Sequence, residues 1–128
     1  MTGKEIYSAS LHILAETDDN ADRSDYEERY PYILALFYGE AEELDLKYRR
    51  AHKIPIEYMY FEISEIPEAE MPLCDVFASA AVYYLAAMLI IDENTEFSDR
   101  LFEKYSARME SILSGLPSEL GKIKRVYF

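Results

Sequence analysis

Apolar residues recur from the start of the chain at helical spacing. Ile6, Ala9, Ile13 and Leu14 lie three and four residues apart or adjacent, which predicts a first helix with one apolar face up to about Ala15. Thr2 supplies the hydroxyl that a helix N-terminus needs. The polar stretch Thr17 to Arg23 then reads as a turn, and Ser24-Asp25-Tyr26-Glu27 matches a capping box that would open a second helix. Tyr30, Leu34, Phe37, Tyr38, Ala41, Leu44 and Tyr48 carry that helix to about Arg50, with Pro31 predicting a kink or restart near Tyr30. Its remaining residues, Glu40, Glu42, Glu43, Asp45, Lys47, Arg49 and Arg50, read as the solvent face and pass from acid to base, as the helix dipole favours.

Between Ile54 and Pro72 the texture changes. Pro55, Pro67 and Pro72, with the alternation of Met59, Phe61 and Ile63 against Tyr58, Tyr60 and Glu62, predict a short strand or an extended strap over the helices. Leu73 to Ile91 follows as a central helix in which Ser79, Ala80, Ala86 and Ala87 stack along one side and admit a neighbouring backbone. Asp92 to Thr95 makes a tight polar turn with Asn94 or Thr95 as the next cap. Phe97, Leu101, Tyr105, Met109, Ile112 and Leu116 then form one stripe of a last helix, closed by Gly115 and Pro117. The two final helices should therefore pair as an antiparallel hairpin.

These elements define a mainly α fold: a single helical domain over 1–128, built as a bundle of about four helices. An extended strap at 54–72 and an extended C-terminal arm at 118–128 accompany it. With half of its 128 residues apolar, the chain has enough material for one core. The longest uncharged run, Val76 to Ile91, is 16 residues long. That is short of the roughly 20 needed to cross a bilayer, so no membrane partner is expected.

Charge narrows the picture further. Residues 1–70 hold 17 acidic and 7 basic side chains, and 71–128 hold 8 and 6. A field of that sign repels phosphate backbones, so specific nucleic-acid binding is not expected. Against it stands the end of the chain, Lys122-Ile123-Lys124-Arg125-Val126-Tyr127-Phe128, with three positive charges and no acid. Such a segment could fold back on the acidic first half or reach an acidic patch or sheet edge of another subunit. Tyr58, Tyr60 and Phe61 of the strap, with Ile123, Lys124, Arg125, Val126, Tyr127 and Phe128 of the arm, are the candidate subunit contacts.

No residue pattern nominates chemistry. His12 and Glu16 would share a helix face but make only a pair, and His52 stands elsewhere. The loop from Asp18 places oxygen ligands like a calcium loop, yet Arg23 stands where glycine is needed and Arg29 where the bidentate glutamate belongs. The single cysteine, Cys74, allows no internal disulfide and sits beside Asp75 with no histidine nearby in sequence to activate it. The chain is thus expected to be no enzyme, with no cofactor and no metal.

The run from Leu73-Cys74-Asp75 through AVYYLAAMLIIDENTEFSDRLFEKYSARMESI resembles small head–tail connector proteins of tailed bacteriophages. Tyr84, Leu85, Ala86, Ala87, Leu89, Glu93, Phe97 and Tyr105 carry the likeness, and Asp25-Tyr26 with Arg29-Tyr30-Pro31 ahead of a long helix is also similar. The resemblance implies a non-enzymatic, prophage-encoded virion part, assembled in the bacterial cytoplasm as a homo-oligomeric ring beneath the portal and bound to other head or tail proteins. Residues 54–72 and the C-terminal arm depart most from the family. The competing expectation is a bacterial cytosolic helical interaction or regulatory protein acting as monomer or dimer.

Overall fold

The computed structural model describes residues 1–15, 22–56 and 61–116. Four helices account for most of them: α1 (Gly3–Ile13), α2 (Ser24–His52), α3 (Ala78–Ile90) and α4 (Thr95–Ser114), with short 3-10 turns at Ile63–Glu65 and Asp75–Phe77. Extended pairing among the described residues is confined to one antiparallel bridge between Thr2 and Glu70.

The first helix begins where a complete capping box forms. Thr2 Oγ1 accepts from the Glu5 amide at 3.2 Å, and Glu5 Oε1 accepts from the Thr2 amide at 3.0 Å. The box expected at Ser24 does not form, because Ser24 is already the first residue of α2. Asp22 Oδ1 takes the Ser24 amide and hydroxyl instead, at 3.1 and 2.8 Å. Pro31 neither breaks nor restarts α2, which runs unbroken for 29 residues. Lys53 ends it in the left-handed region at φ 55°, with the Ile54 amide closing onto the Arg49 carbonyl at 2.8 Å.

Helix α3 lies at the centre and, apart from Ser79 in its first turn, is apolar or aromatic around its circumference. Ala80, Ala81, Leu85, Ala86 and Ala87 have no exposed surface. A helix of that kind survives in water only when other elements cover it. Its small residues let the partners come close, and two buried serines use that proximity. Ser10 of α1 donates to the Val82 carbonyl at 3.2 Å and to the Ile6 carbonyl of its own helix at 2.9 Å. Ser98 of α4 donates to the Ala87 carbonyl at 2.9 Å. Ser79, expected on the small-residue side, is exposed, and Ala81 joins the buried set instead. The helix proper starts at Ala78 rather than Leu73, since Asp75–Phe77 first form a 3-10 turn.

Helix α2 covers the third side through aromatic packing. Phe37 meets Tyr84 at 5.5 Å between ring centroids and Tyr105 of α4 at 6.0 Å. Tyr30 stacks flat on Tyr7 of α1 at 4.2 Å. At the far end of α3, Tyr26 donates its phenol hydrogen to Glu93 at 2.7 Å, and Arg29 donates to the Leu89 carbonyl at 3.1 Å.

The strap crosses the start of α1. Lys4 donates to the Pro67 carbonyl and Met71 to the Met1 carbonyl, both at 2.9 Å. Gly3 lies so near the Ile66 carbonyl that a β-carbon there would collide with it. Where the alternation around Phe61 and Ile63 predicts extended chain, its described end is instead wound into the 3-10 turn at Ile63–Glu65. Ile66, Met71 and Leu73 supply the buried contacts, while Met59, Tyr58 and Tyr60 lie outside the described residues.

Candidate interaction surface

Asp45 and Arg49 were expected on the solvent face of α2, one turn apart. The structure buries Asp45, leaves Arg49 only slightly exposed and makes the two the clasp of the strap. The Asp45 carboxylate, 4% exposed, accepts from Arg49 Nε at 2.8 Å and from the Cys74 amide at 2.9 Å. The Arg49 guanidinium in turn donates to the Pro55 carbonyl at 2.7 Å and the Pro72 carbonyl at 3.2 Å. A planar fork with several donors suits this role, and a lysine ammonium could not reach in as many directions. The clasp thus binds both ends of the strap to the second half of α2.

Cys74 takes its chemistry from the same place. Burial, then the Asp45 carboxylate that its thiol faces, raise its pKa from the ordinary 9.0 to about 11. A thiol held in its protonated form is a poor nucleophile at neutral pH. Among the described residues no group of three His, Cys, Asp or Glu side chains is placed to hold a metal ion. His12 and His52 are exposed, His52 lying 4.2 Å from the Tyr48 ring. The calcium-like loop falls mostly outside the described residues, although its Asp22 serves as the opening bond of α2.

Of the nine candidate subunit contacts, Phe61 alone lies among the described residues, and it is half-buried against the chain's own core. Tyr58, Tyr60, Ile123, Lys124, Arg125, Val126, Tyr127 and Phe128 lie outside them.

The outer surface carries a feature that the helical stripes did not mark. Tyr32 and Leu36 of α2 are 63% and 51% exposed, and Leu113 of α4 is 47% exposed. Tyr32 and Leu36 stand one turn apart on the side of α2 away from its core stripe, so the signal available in sequence was an apolar pair on an otherwise polar face. Helices α2 and α4 meet at Phe37 and Tyr105, and Glu40 stands close enough to Tyr84 and Tyr105 to add to the upward pull that burial exerts on their phenols. Glu40 therefore borders the seam from one side, with Leu36 one turn before it on α2. From the other, Asp99, Phe102, Glu103, Ser106, Ala107 and Glu110 line an open hollow along α4.

This seam is acidic and unneutralised. Asp99, Glu103, Glu110 and Glu40 are exposed, and none of them has an ion-pair partner among the described residues. Of the bases of α4, Lys104 lies over the Tyr83 ring at 5.9 Å and Arg100 pairs with Glu96 at 3.9 Å.

The residues that carry the phage-connector likeness have structural duties. Leu85, Ala86, Ala87 and Leu89 are buried, Tyr84 packs among Phe37, Phe102 and Tyr105, and Glu93 receives the Tyr26 hydroxyl. No family model, curated protein or solved structure matches the chain. Among the described residues no helix is long and apolar enough to cross a membrane.

Proposed function

We propose that the chain is a non-enzymatic structural subunit of a tailed phage, a head–tail connector or adaptor that oligomerises beneath the portal. The observation that carries the proposal is the division of the chain into an enclosed α3 and outer faces of α2 and α4 on which Tyr32, Leu36 and Leu113 remain exposed. Exposed apolar side chains that the chain's own core does not take up, such as the pair Tyr32 and Leu36 one turn apart on α2, are available for contacts with other chains. The connector resemblance of the α3–α4 hairpin supplies the kind of contact, and the acidic charge of the chain suits a wall past which DNA slides without being held. Assembly in the bacterial cytoplasm and incorporation into a virion are part of the same proposal.

Sedimentation of the full chain over a wide concentration range, with electron microscopy of the heaviest species, tests it. Closed rings, alone or on co-expressed portal, are the expected result. A chain that stays a monomer or dimer at every concentration and ignores portal would overturn the proposal in favour of a cytosolic regulatory protein.

A further inference from the structure

We infer that the acidic seam between α2 and α4 is the receptor for the basic-aromatic segment Lys122–Phe128 of a neighbouring copy. The inference rests on the assembly reading above and adds the pair of surfaces that would make the contact. Complementarity of charge and polarity is the ground for it. The seam offers Glu40, Glu103 and Glu110, without ion partners among the described residues, with Phe102 beside the last two in the hollow and the exposed Leu36 and Leu113 about one helical turn from Glu40 and Glu110. The segment offers the reverse, Lys122, Lys124 and Arg125 interleaved with Ile123, Val126, Tyr127 and Phe128. In an extended segment the side chains alternate, so Lys122, Lys124 and Val126 fall on one side and Ile123, Arg125 and Tyr127 on the other. Either side then brings both a cation and an apolar group to a surface of this composition.

The two surfaces differ from each other, so the contact is heterologous, and repeated heterologous contacts generate rings or open helices rather than closed pairs. The lining of the hollow along α4 carries Asp99, Glu103 and Glu110 and no base, which favours a cationic partner. Residues 117–121 separate the end of the described α4 from the first base and supply at most about 17 Å of reach, enough to leave the parent helix.

Two full-length variants with exposed substitutions test the inference. One carries Glu103→Lys with Glu110→Lys; the other carries Lys124→Glu with Arg125→Glu. Each alone should self-associate at least about 10-fold more weakly than the native chain, while circular dichroism of the helices stays unchanged. Mixed together they should assemble again with the two variants alternating, since the basic arm of the first meets the acidic seam of the second and the acidic arm of the second meets the basic seam of the first. A chain carrying all four substitutions should regain assembly.

If the mixture sediments as single chains, the segment does not dock on a neighbour and the inference fails. If native assembly survives in both variants, the inference fails while the assembly reading stands on some other interface. A native chain that remains single at every concentration removes both together.

Discussion

Ser98 donates its hydroxyl hydrogen to the Ala87 carbonyl across the turn between α3 and α4, at 2.9 Å and with no exposed surface on the serine. The bond exists because residue 87 is alanine, which lets α4 approach until its side chain reaches the opposite backbone. A larger residue at either position would hold the helices apart.

Ser98→Ala removes the donor and leaves a small gap, so the unfolding free energy should fall by about 1 kcal/mol. Ser98→Leu must instead push α4 off α3 and should cost about 3 kcal/mol. Urea unfolding followed by circular dichroism checks both, and equal midpoints for the two variants would contradict the close approach.

Arg49→Met deprives the buried Asp45 of its cation and releases the Pro55 and Pro72 carbonyls. A loss of about 3 kcal/mol is expected, since an uncompensated buried carboxylate is the costly remnant. Adding Asp45→Asn should cost less than the sum of the two single changes, because the second substitution removes a charge the first has stranded. A double-mutant cycle reads this directly; strict additivity would show that the pair does not act as a unit.

Tyr38→Phe should move in the opposite direction. The Tyr38 hydroxyl is buried with no hydrogen-bond partner among the described residues, so removing it discards a desolvated polar group and leaves the ring in place. A rise in stability of about 1 kcal/mol is expected, and thermal unfolding should show a higher midpoint. A lower midpoint would mean that the hydroxyl is paired.

Stability should decline in alkali, beginning with Cys74. The unfolded thiol ionises near 9.0 and the folded one at about 11, so its contribution is complete below pH 9 and disappears as pH climbs to 11. Tyr7, Tyr30, Tyr38, Tyr84 and Tyr105 are raised from 10.0 chiefly by burial and act in the same direction above pH 10. Denaturant midpoints measured from neutral to strongly alkaline pH should fall through this window, with Cys74→Ala losing the earlier part of the decline. Alkylation of the native thiol at pH 8 should run about 10-fold slower than for a thiol at the ordinary pKa, the smaller thiolate fraction being partly offset by the greater nucleophilicity of a more basic thiolate. A flat stability profile would show that these groups titrate normally.

The helices were legible because their apolar periodicity is long and their partners are local. Asn94 was a readable cap, and its side chain does accept the Phe97 amide. Harder to read were positions whose meaning depends on distant chain. Asp45 and Arg49 look like solvent-face residues until the strap arrives and its carbonyls need donors. Ser24 and Glu27 have the spelling of a capping box, yet Asp22 reaches the helix start first. The alternation near Phe61 resembles a strand, but Pro67 and the contact of Ile66 with Gly3 bend the chain into turns. The acidic seam was hidden for another reason: periodicity identifies what faces the core and is silent about how two outer faces combine.

The order of the elements along the chain also has a kinetic side. The Ser98 bond spans 11 residues of sequence, whereas the equivalent Ser10 bond to α3 spans 72. Closing the short span costs less chain entropy, so the hairpin of α3 and α4 is favoured to form early and α1 to seal the opposite flank late. Until α1 arrives, the side of α3 at Val82 is a bare apolar wall. During synthesis that interval is the stage at which the chain is most exposed to mispairing with its own kind.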